Sequence, residues 1–306
     1  METFDLHILG CGSAKPTSRH MPTCQVLDAR GKLYMIDCGE TAQIGFARQG
    51  LKLNRLGHIF ISHNHGDHIF GLPGLVSTMA LLGRTADLHI HAPQQTKPLI
   101  DLVTEIYCQG IDYQILFHEI DTTKHQLIFE DRSLEVWSLP LQHRIPCSGF
   151  LFREKPTLPH IRRELIDAYG IPLSQINNIK AGASWTTDDG TVIPHERLTL
   201  PAAPPRSYAY CSDTTYLPSL AKLVENVTLL FHEATYPEAR SARATETCHS
   251  TTSQAADIAL KAKAGKLCIG HYSGRVKNEG EHLAEAAKVF RNTVLAKEGM
   301  VIHIGK

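Results

Sequence analysis

Several of the markers that sort a protein quickly are missing from this chain. Its eight cysteines, at positions 11, 24, 38, 108, 147, 211, 248 and 268, include no C-x-x-C pair. That speaks against a zinc ribbon or a thioredoxin-type motif and leaves reduced thiols as the expectation. No stretch approaches the roughly 18 uninterrupted apolar residues that a membrane helix needs. The opening "METFDLHILGCG" has neither the basic region nor the apolar run of a secretory signal, so the expected location is the cytoplasm. An excess of one charge is missing too. Lys+Arg and Asp+Glu both number 31, and the bulk basicity common among nucleic-acid binders is absent. "GCGSAKP" has G-x-G without the later glycine of a dinucleotide fingerprint, so it reads as a turn.

Histidine, by contrast, is plentiful: 18 among 306 residues. Hydrophobic residues at 42% and charged residues at 20% are ordinary for a globular chain with a substantial core. The first 60 residues read as short strands, "FDLHILGCG", "TCQVLDA" and "GKLYMIDCG", followed by a helix in "ETAQIGFARQGL". "LGHIFISH" reads as a buried strand, and "LPGLVSTMALLGR" as a helix that starts near Pro73. Strand and helix signals alternate again from "SYAYCSD" to "GMVIHIG". This pattern predicts an α/β chain, 1–306 as a single domain, built as an αβ/βα sandwich. Residues 153–205 break the alternation. They are rich in Pro, Gly and polar types, with one short helix near 159–168, and read as an inserted arm with too few apolar residues for its own core.

The strongest local signal is "FISHNHGDHIFGLPG", residues 60–74. His63 and His65, two apart on an extended segment, project to the same side, and Asp67 and His68 follow a turn at Gly66. Imidazole with carboxylate suits Zn²⁺. Two ligand pairs aimed differently from one loop would serve two ions a few ångströms apart, the arrangement used for phosphoryl transfer. Taken alone, His143 reads as a loop histidine, Asp213 as a turn or cap residue, and His249 in "HSTTSQAA" as the approach to a helix capped by Ser250 or Thr251. His232, after the apolar run "VTLLF", reads as structural.

The same string carries a resemblance, which extends over nearly the whole chain through "LGCGSAKPTSR", "DCGETAQ", "ISHNHGDHIFGLPGL", "LQHRIPCSGF", "YCSDT", "HEATY", "HSTTSQAA" and "IGHYSGR". The chain resembles the metallo-β-lactamase superfamily and, within it, the tRNA 3′-processing ribonuclease Z branch. The resemblance implies a four-layer αβ/βα sandwich of the metallo-β-lactamase type and two zinc ions per chain, with Mn²⁺ as an alternative occupant. His63, His65, His143 and Asp213 would hold one ion; Asp67, His68, His271 and the bridging Asp213 would hold the other. The implied activity is a hydrolase: an endoribonuclease that removes the 3′ trailer from precursor tRNA by attack of a metal-bridging hydroxide on phosphorus. Asp67 would orient that group, His249 would act as general acid, and Glu233 would support His249. A homodimer is implied as well, with an arm that grips tRNA. Its basic candidates here are Arg162, Arg163 and Lys180, in an arm that has diverged: "GIPLSQINNIKAG" lacks the family's Gly-Pro stretch and much of its lysine. Ser212 before Asp213 and His20 in "SRHMPTC" also depart from the commoner Gly and Asn. A small-molecule or cyclic-nucleotide phosphodiesterase and a degenerate RNA-binding protein are the alternatives at this point.

Overall fold

A computed structural model describes residues 2–305. The first half of the chain forms strands β1 (Phe4–Gly10), β2 (Cys24–Ala29) and β3 (Lys32–Ile36), helix α1 (Ala42–Arg48), strand β4 (Leu56–Phe60), the single turn α2 (Gly66–Ile69), helix α3 (Leu72–Leu81), strand β5 (Leu88–Ala92), helix α4 (Lys97–Tyr107) and strand β6 (Ile115–Glu119). Strands β7 (Leu127–Glu130), β8 (Leu134–Leu141) and β9 (Cys147–Glu154) follow. The expected strands and helices of the first 80 residues are all present, and α3 carries Pro73 in its first turn, where a missing N–H costs nothing.

Asp131–Leu134 and Glu154–Pro205 make a compact unit of their own. It holds strands β10 (His160–Ile161), β11 (Trp185–Thr186), β12 (Val192–Ile193) and β13 (Thr199–Leu200), and helices α5 (Arg163–Ala168), α6 (Leu173–Lys180) and α7 (His195–Leu198). The expectation of a stretch without its own core needs correcting. Ile171, Ile179, Ile193 and Leu198 are buried together, with Ile161, Leu165, Ile166, Tyr169 and Trp185 packed around them. These residues are too widely spaced among Pro, Gly and polar types to show a periodic signal. Arg153 still pairs with Ser207 in the main ladder, so the excursion begins at Glu154.

The chain then forms β14 (Ser207–Cys211), α8 (Leu220–Leu223), β15 (Leu229–Glu233), α9 (Ser241–Thr247), α10 (Thr252–Lys261), β16 (Lys266–Gly270), α11 (Glu279–Val289), β17 (Thr293–Leu295) and β18 (Val301–His303). Two seven-stranded sheets result, in the orders β18-β1-β2-β3-β4-β5-β6 and β17-β16-β15-β14-β9-β8-β7. Each is parallel at one side: β3 to β6 in the first sheet, β14 to β17 in the second. One apolar cluster joins the first sheet to α1, α3 and α4, and another joins the second sheet to α8, α10 and α11. Aromatic rings fill the space between the sheets. Phe60 meets Phe152 edge-on at 5.3 Å and Phe150 at 5.6 Å, and Tyr34 reaches Phe152 at 6.4 Å. Helices outside and two sheets inside give the four-layer αβ/βα sandwich.

Candidate metal centre

Parallel strands bring their carboxyl ends to one edge of each sheet, and those ends carry the chemistry. His63 follows β4, Asp213 follows β14, Glu233 is the last residue of β15 and His271 follows β16. His65, Asp67 and His68 come from the loop and turn of α2, and His143 from the loop after β8. Asp37, Asp213 and His271 all sit at positive φ, at 56°, 59° and 61°. Residues other than glycine rarely adopt that conformation unless their surroundings over-determine it.

The side chains converge in two groups that share one carboxylate. Donor atoms of His63, His65, His143 and Asp213 lie within 4.8 Å of one another, as do those of Asp67, His68 and His271. Asp213 divides its oxygens between them. Oδ2 is 3.6 Å from both His63 Nε2 and His143 Nε2, while Oδ1 is 3.3 Å from His68 Nε2 and 3.0 Å from His271 Nε2. Asp67 Oδ2 lies 3.5 Å from His68 Nε2 and 3.6 Å from His271 Nε2. Every ligand-type residue expected from the sequence is therefore in one of these two groups.

The opposite ring nitrogens are held by neighbours. His68 Nδ1 donates to Asp37 Oδ2 at 2.7 Å, and His143 Nδ1 donates to the Cys248 carbonyl at 3.0 Å. His271 Nδ1 lies 3.0 Å from Thr235 Oγ1, and His63 Nδ1 lies 3.0 Å from Ser62 Oγ. A proton fixed on Nδ1 leaves Nε2 with its lone pair facing inward, the tautomer a metal ligand requires. The inward atoms are poorly satisfied by protein. His68 Nε2 and His271 Nε2 are buried with no hydrogen bond, although both lie within ion-pair reach of Asp213. His63 Nε2 and His143 Nε2 face His65 Nδ1 at 3.0 and 3.3 Å, a convergence of ring nitrogens that cations would satisfy. This donor set fits divalent metal ions.

The electrostatics show a centre that attracts positive charge. Burial works against charge on Asp213, yet His271 and His68 hold its carboxyl well below the usual range. Burial likewise opposes charge on Asp67, which His68 and His271 keep ionised. Burial favours neutral His271, but Asp213 pushes it up to about 10. Burial also lowers His63, and the neighbouring His68 adds to the effect.

His249 stands beside these groups, with Nδ1 2.8 Å from Glu233 Oε1. Its turn is fixed by Thr251, the N-cap of α10, in a capping box with Gln254. Burial lowers the imidazole's affinity for a proton, but the Glu233 carboxylate outweighs this and raises it above the ordinary value. Glu233 is fully buried and also accepts from Thr214 N at 2.7 Å. His232 is buried with Nδ1 on its neighbour's carbonyl, a structural placement. Ser212, the departure from glycine, donates its hydroxyl to Asp213 Oδ1 at 2.9 Å.

The cleft above these residues has a volume of about 620 Å³ and is rimmed by Lys15, Arg144, Arg243 and Arg275. Sequence reasoning missed these cations because they are isolated in the chain. It also missed Asp37, although "DCGETAQ" was among the motifs that carried the resemblance. Arg162, Arg163 and Lys180 lie in the separate compact unit: Arg162 caps α5, Arg163 begins it and Lys180 ends α6. Arg163 is exposed, while Arg162 and Lys180 are half-buried.

Comparison with known proteins gives the geometry its context. The model of a family described as Anti-Pycsar protein Apyc1 matches residues 4–100. Ribonuclease Z of Bacteroides fragilis is 53% identical over 304 residues, spanning 99% of this chain and 100% of that protein. Ribonuclease Z of Porphyromonas gingivalis is 50% identical with the same coverage. Among solved structures, human tRNase Z, short form, superposes with a TM-score of 0.71 at 26% identity, covering 99% of this chain and 100% of that one. The metallo-beta-lactamase fold protein YhfI from Bacillus subtilis superposes with a TM-score of 0.70 at 17% identity over 98% and 99% of the two chains, a likeness of fold. The full-length identity to these relatives, on this sandwich and around this cluster of histidines and aspartates, places the chain in the ribonuclease Z family of metallo-β-lactamase-fold hydrolases.

Proposed function

We propose that the chain is an endoribonuclease that removes the 3′ trailer from precursor tRNA, cutting on the 3′ side of the discriminator nucleotide with two zinc ions per chain. The observation that carries the two-ion reading is the division of Asp213, one carboxylate oxygen toward each ligand group. His63, His65 and His143 would hold one ion, Asp67, His68 and His271 the other, and Asp213 both. Mn²⁺ is the alternative occupant of the same ligands. When bound, the ions supply Lewis acidity at a phosphoryl oxygen and ionise water near neutral pH.

The remaining chemistry belongs to the chain. Asp67 receives the Ala14 N–H at 2.7 Å, which fixes its carboxylate to orient the attacking water and take its proton. His249, held by Glu233 and charged more readily than an ordinary histidine, donates a proton from Nε2 to the leaving 3′-oxygen. The cationic rim neutralises phosphates on either side of the reacting one. Arg162, Arg163 and Lys180 add contacts to the tRNA body. Exposed Leu81 and Leu82 at the end of α3, with Leu102, Ile106 and Tyr107 on α4, support a homodimer through this apolar surface. No helix among the described residues is long and apolar enough to cross a membrane.

The test is incubation of purified protein with a trailer-bearing precursor tRNA and, separately, with an aryl phosphodiester, with the RNA ends mapped to the nucleotide. Cleavage after the discriminator is expected. Turnover of the aryl diester without RNA cleavage would point to a small-molecule phosphodiesterase instead.

A further inference from the structure

A second convergence of ligand-type side chains lies outside the centre described above. Cys11 follows β1 and is fully buried, His20 sits in the loop that leads to β2, and Glu298 lies in the turn between β17 and β18. Their Sγ, ring nitrogen and carboxylate oxygen all lie within 4.8 Å of one another. Cys11 Sγ is 3.5 Å from His20 Nδ1, and the same Nδ1 is 3.1 and 3.2 Å from the two Glu298 oxygens. A tetrahedral zinc ion has Zn–S of about 2.3 Å and Zn–N or Zn–O of about 2.0–2.1 Å. Those lengths place sulfur and nitrogen about 3.5 Å apart, and nitrogen and oxygen about 3.3 Å apart. The observed spacings match both edges.

The surroundings match as well. Glu279 Oε1 lies 3.0 Å from His20 Nε2. That contact holds the ring with Nδ1 toward Cys11 and Glu298, the carboxylate–histidine–metal arrangement. The hydrogen bond to Glu298, with Glu279 behind it, outweighs burial and raises the imidazole's affinity for a proton, so an entering ion displaces the Nδ1 proton to solvent. Glu298 Oε1 is steadied by the Met21 N–H at 3.0 Å. Glu298 also lines a cavity of about 600 Å³ with Arg19 and Met21.

We infer that Cys11, His20 and Glu298 form a third metal site, for a zinc-class divalent ion, that pins the end of β1, the following loop and the β17–β18 turn to one another. A thiolate, an imidazole and a carboxylate make a borderline-soft donor set, which zinc suits better than magnesium or calcium. Burial, with Glu298 alongside, pushes the Cys11 thiol well above its ordinary value. Ligation therefore releases the thiol proton to solvent, and affinity falls as pH falls. The loop pinned this way also carries Ala14, which donates to Asp67.

The centre at the strand ends offers only nitrogen and oxygen, so sulfur ligation distinguishes the two. Full-length protein is loaded with Co²⁺ and its near-ultraviolet thiolate-to-metal charge-transfer band is recorded alongside its metal content. The band is expected in the parent and in Cys147→Ser, and absent in Cys11→Ser. Metal content in Cys11→Ser and His20→Asn should be one ion per chain below the parent, with far-ultraviolet circular dichroism unchanged. Absence of the band in the parent, its persistence in Cys11→Ser, its loss in Cys147→Ser, or equal metal content in parent and variants would each overturn the inference. Should Cys11→Ser fail to fold, the His20→Asn metal content decides the matter.

Discussion

Asp37 accepts from Ser62 N at 2.7 Å, Ser62 Oγ at 2.9 Å, His68 Nδ1 at 2.7 Å and Tyr210 Oη at 2.6 Å. A neutral amide there would turn an N–H toward a donor and weaken its hold on His68. Asp37→Asn should therefore lose about 10–100-fold in metal affinity while remaining folded, measured by competition with a chromogenic chelator. His249 predicts the reverse pattern. In His249→Ala, kcat on precursor tRNA should fall by about 10²–10⁴-fold with metal content unchanged; loss of both together would remove its role as acid. His63, His65, Asp67 and His68 were legible from spacing because they share one loop. His143, Asp213 and His271 became candidates only through the family resemblance, since each is an isolated residue in the chain. Asp37 was not legible as a partner of His68, because that contact exists only once β3 and β4 lie side by side.

Among the elements, the "IFGLPG" tail of the metal loop has a packing reason. A Cβ on Gly71 would lie 2.0 Å from the Gly39 carbonyl oxygen, and one on Gly39 would lie 2.6 Å from the Asp67 carbonyl oxygen. Gly71 N–H donates to Cys38 O and Cys38 N–H to His68 O, both at 2.8 Å, so the start of α3 is fastened directly to the loop. Gly71→Ala should cost about 1–3 kcal/mol, visible as a lower Tm and reduced metal retention. Neither glycine needs a positive φ, so turn-based reading of the sequence has no purchase on this constraint. Strands β4, β5 and β6 supply another case. His58, His89, His91 and His118 stack in register, with His91 and His118 ring centroids 4.6 Å apart and His58 and His89 also 4.6 Å apart. Burial, helped by the nearby His118 and His58, lowers His91 to about 2. The unfolded chain then binds a proton that the folded one refuses between pH 6.5 and about 2, so stability is lost as pH falls below 6.5. The contribution is about 1.4 kcal/mol per pH unit. His91→Phe should flatten the acid limb of a Tm-against-pH curve relative to the parent. Half of the 18 histidines thus fall in two groups, the five ligand-type residues of the centre and the four of this stacked patch.

Across the whole molecule, alternation of strand and helix made the two α/β halves legible, but not the order of strands within each sheet. The return of β18 to β1, and the joining of β7, β8 and β9 to the second sheet, depend on pairings between distant segments that periodicity does not encode. Charge was legible only as a total of zero; its local distribution into a cationic cleft rim depends on the fold. Within the smaller unit, replacing Arg162, Arg163 and Lys180 by Ala together should raise KM for precursor tRNA and shallow its dependence on salt. Turnover of an aryl phosphodiester should be unaffected, and a matching loss on both substrates would assign these residues to folding instead.

The position of His271 after β16, late in the chain, bears on synthesis as well as on chemistry. A polypeptide still emerging from the ribosome already displays the His63–His68 loop, yet it lacks the imidazole that faces both Asp67 and Asp213 until β16 has docked beside β15. The second ligand group is therefore closed by the β15–β16 pairing, and a folding intermediate that lacks this pairing should hold metal there less tightly than the native protein.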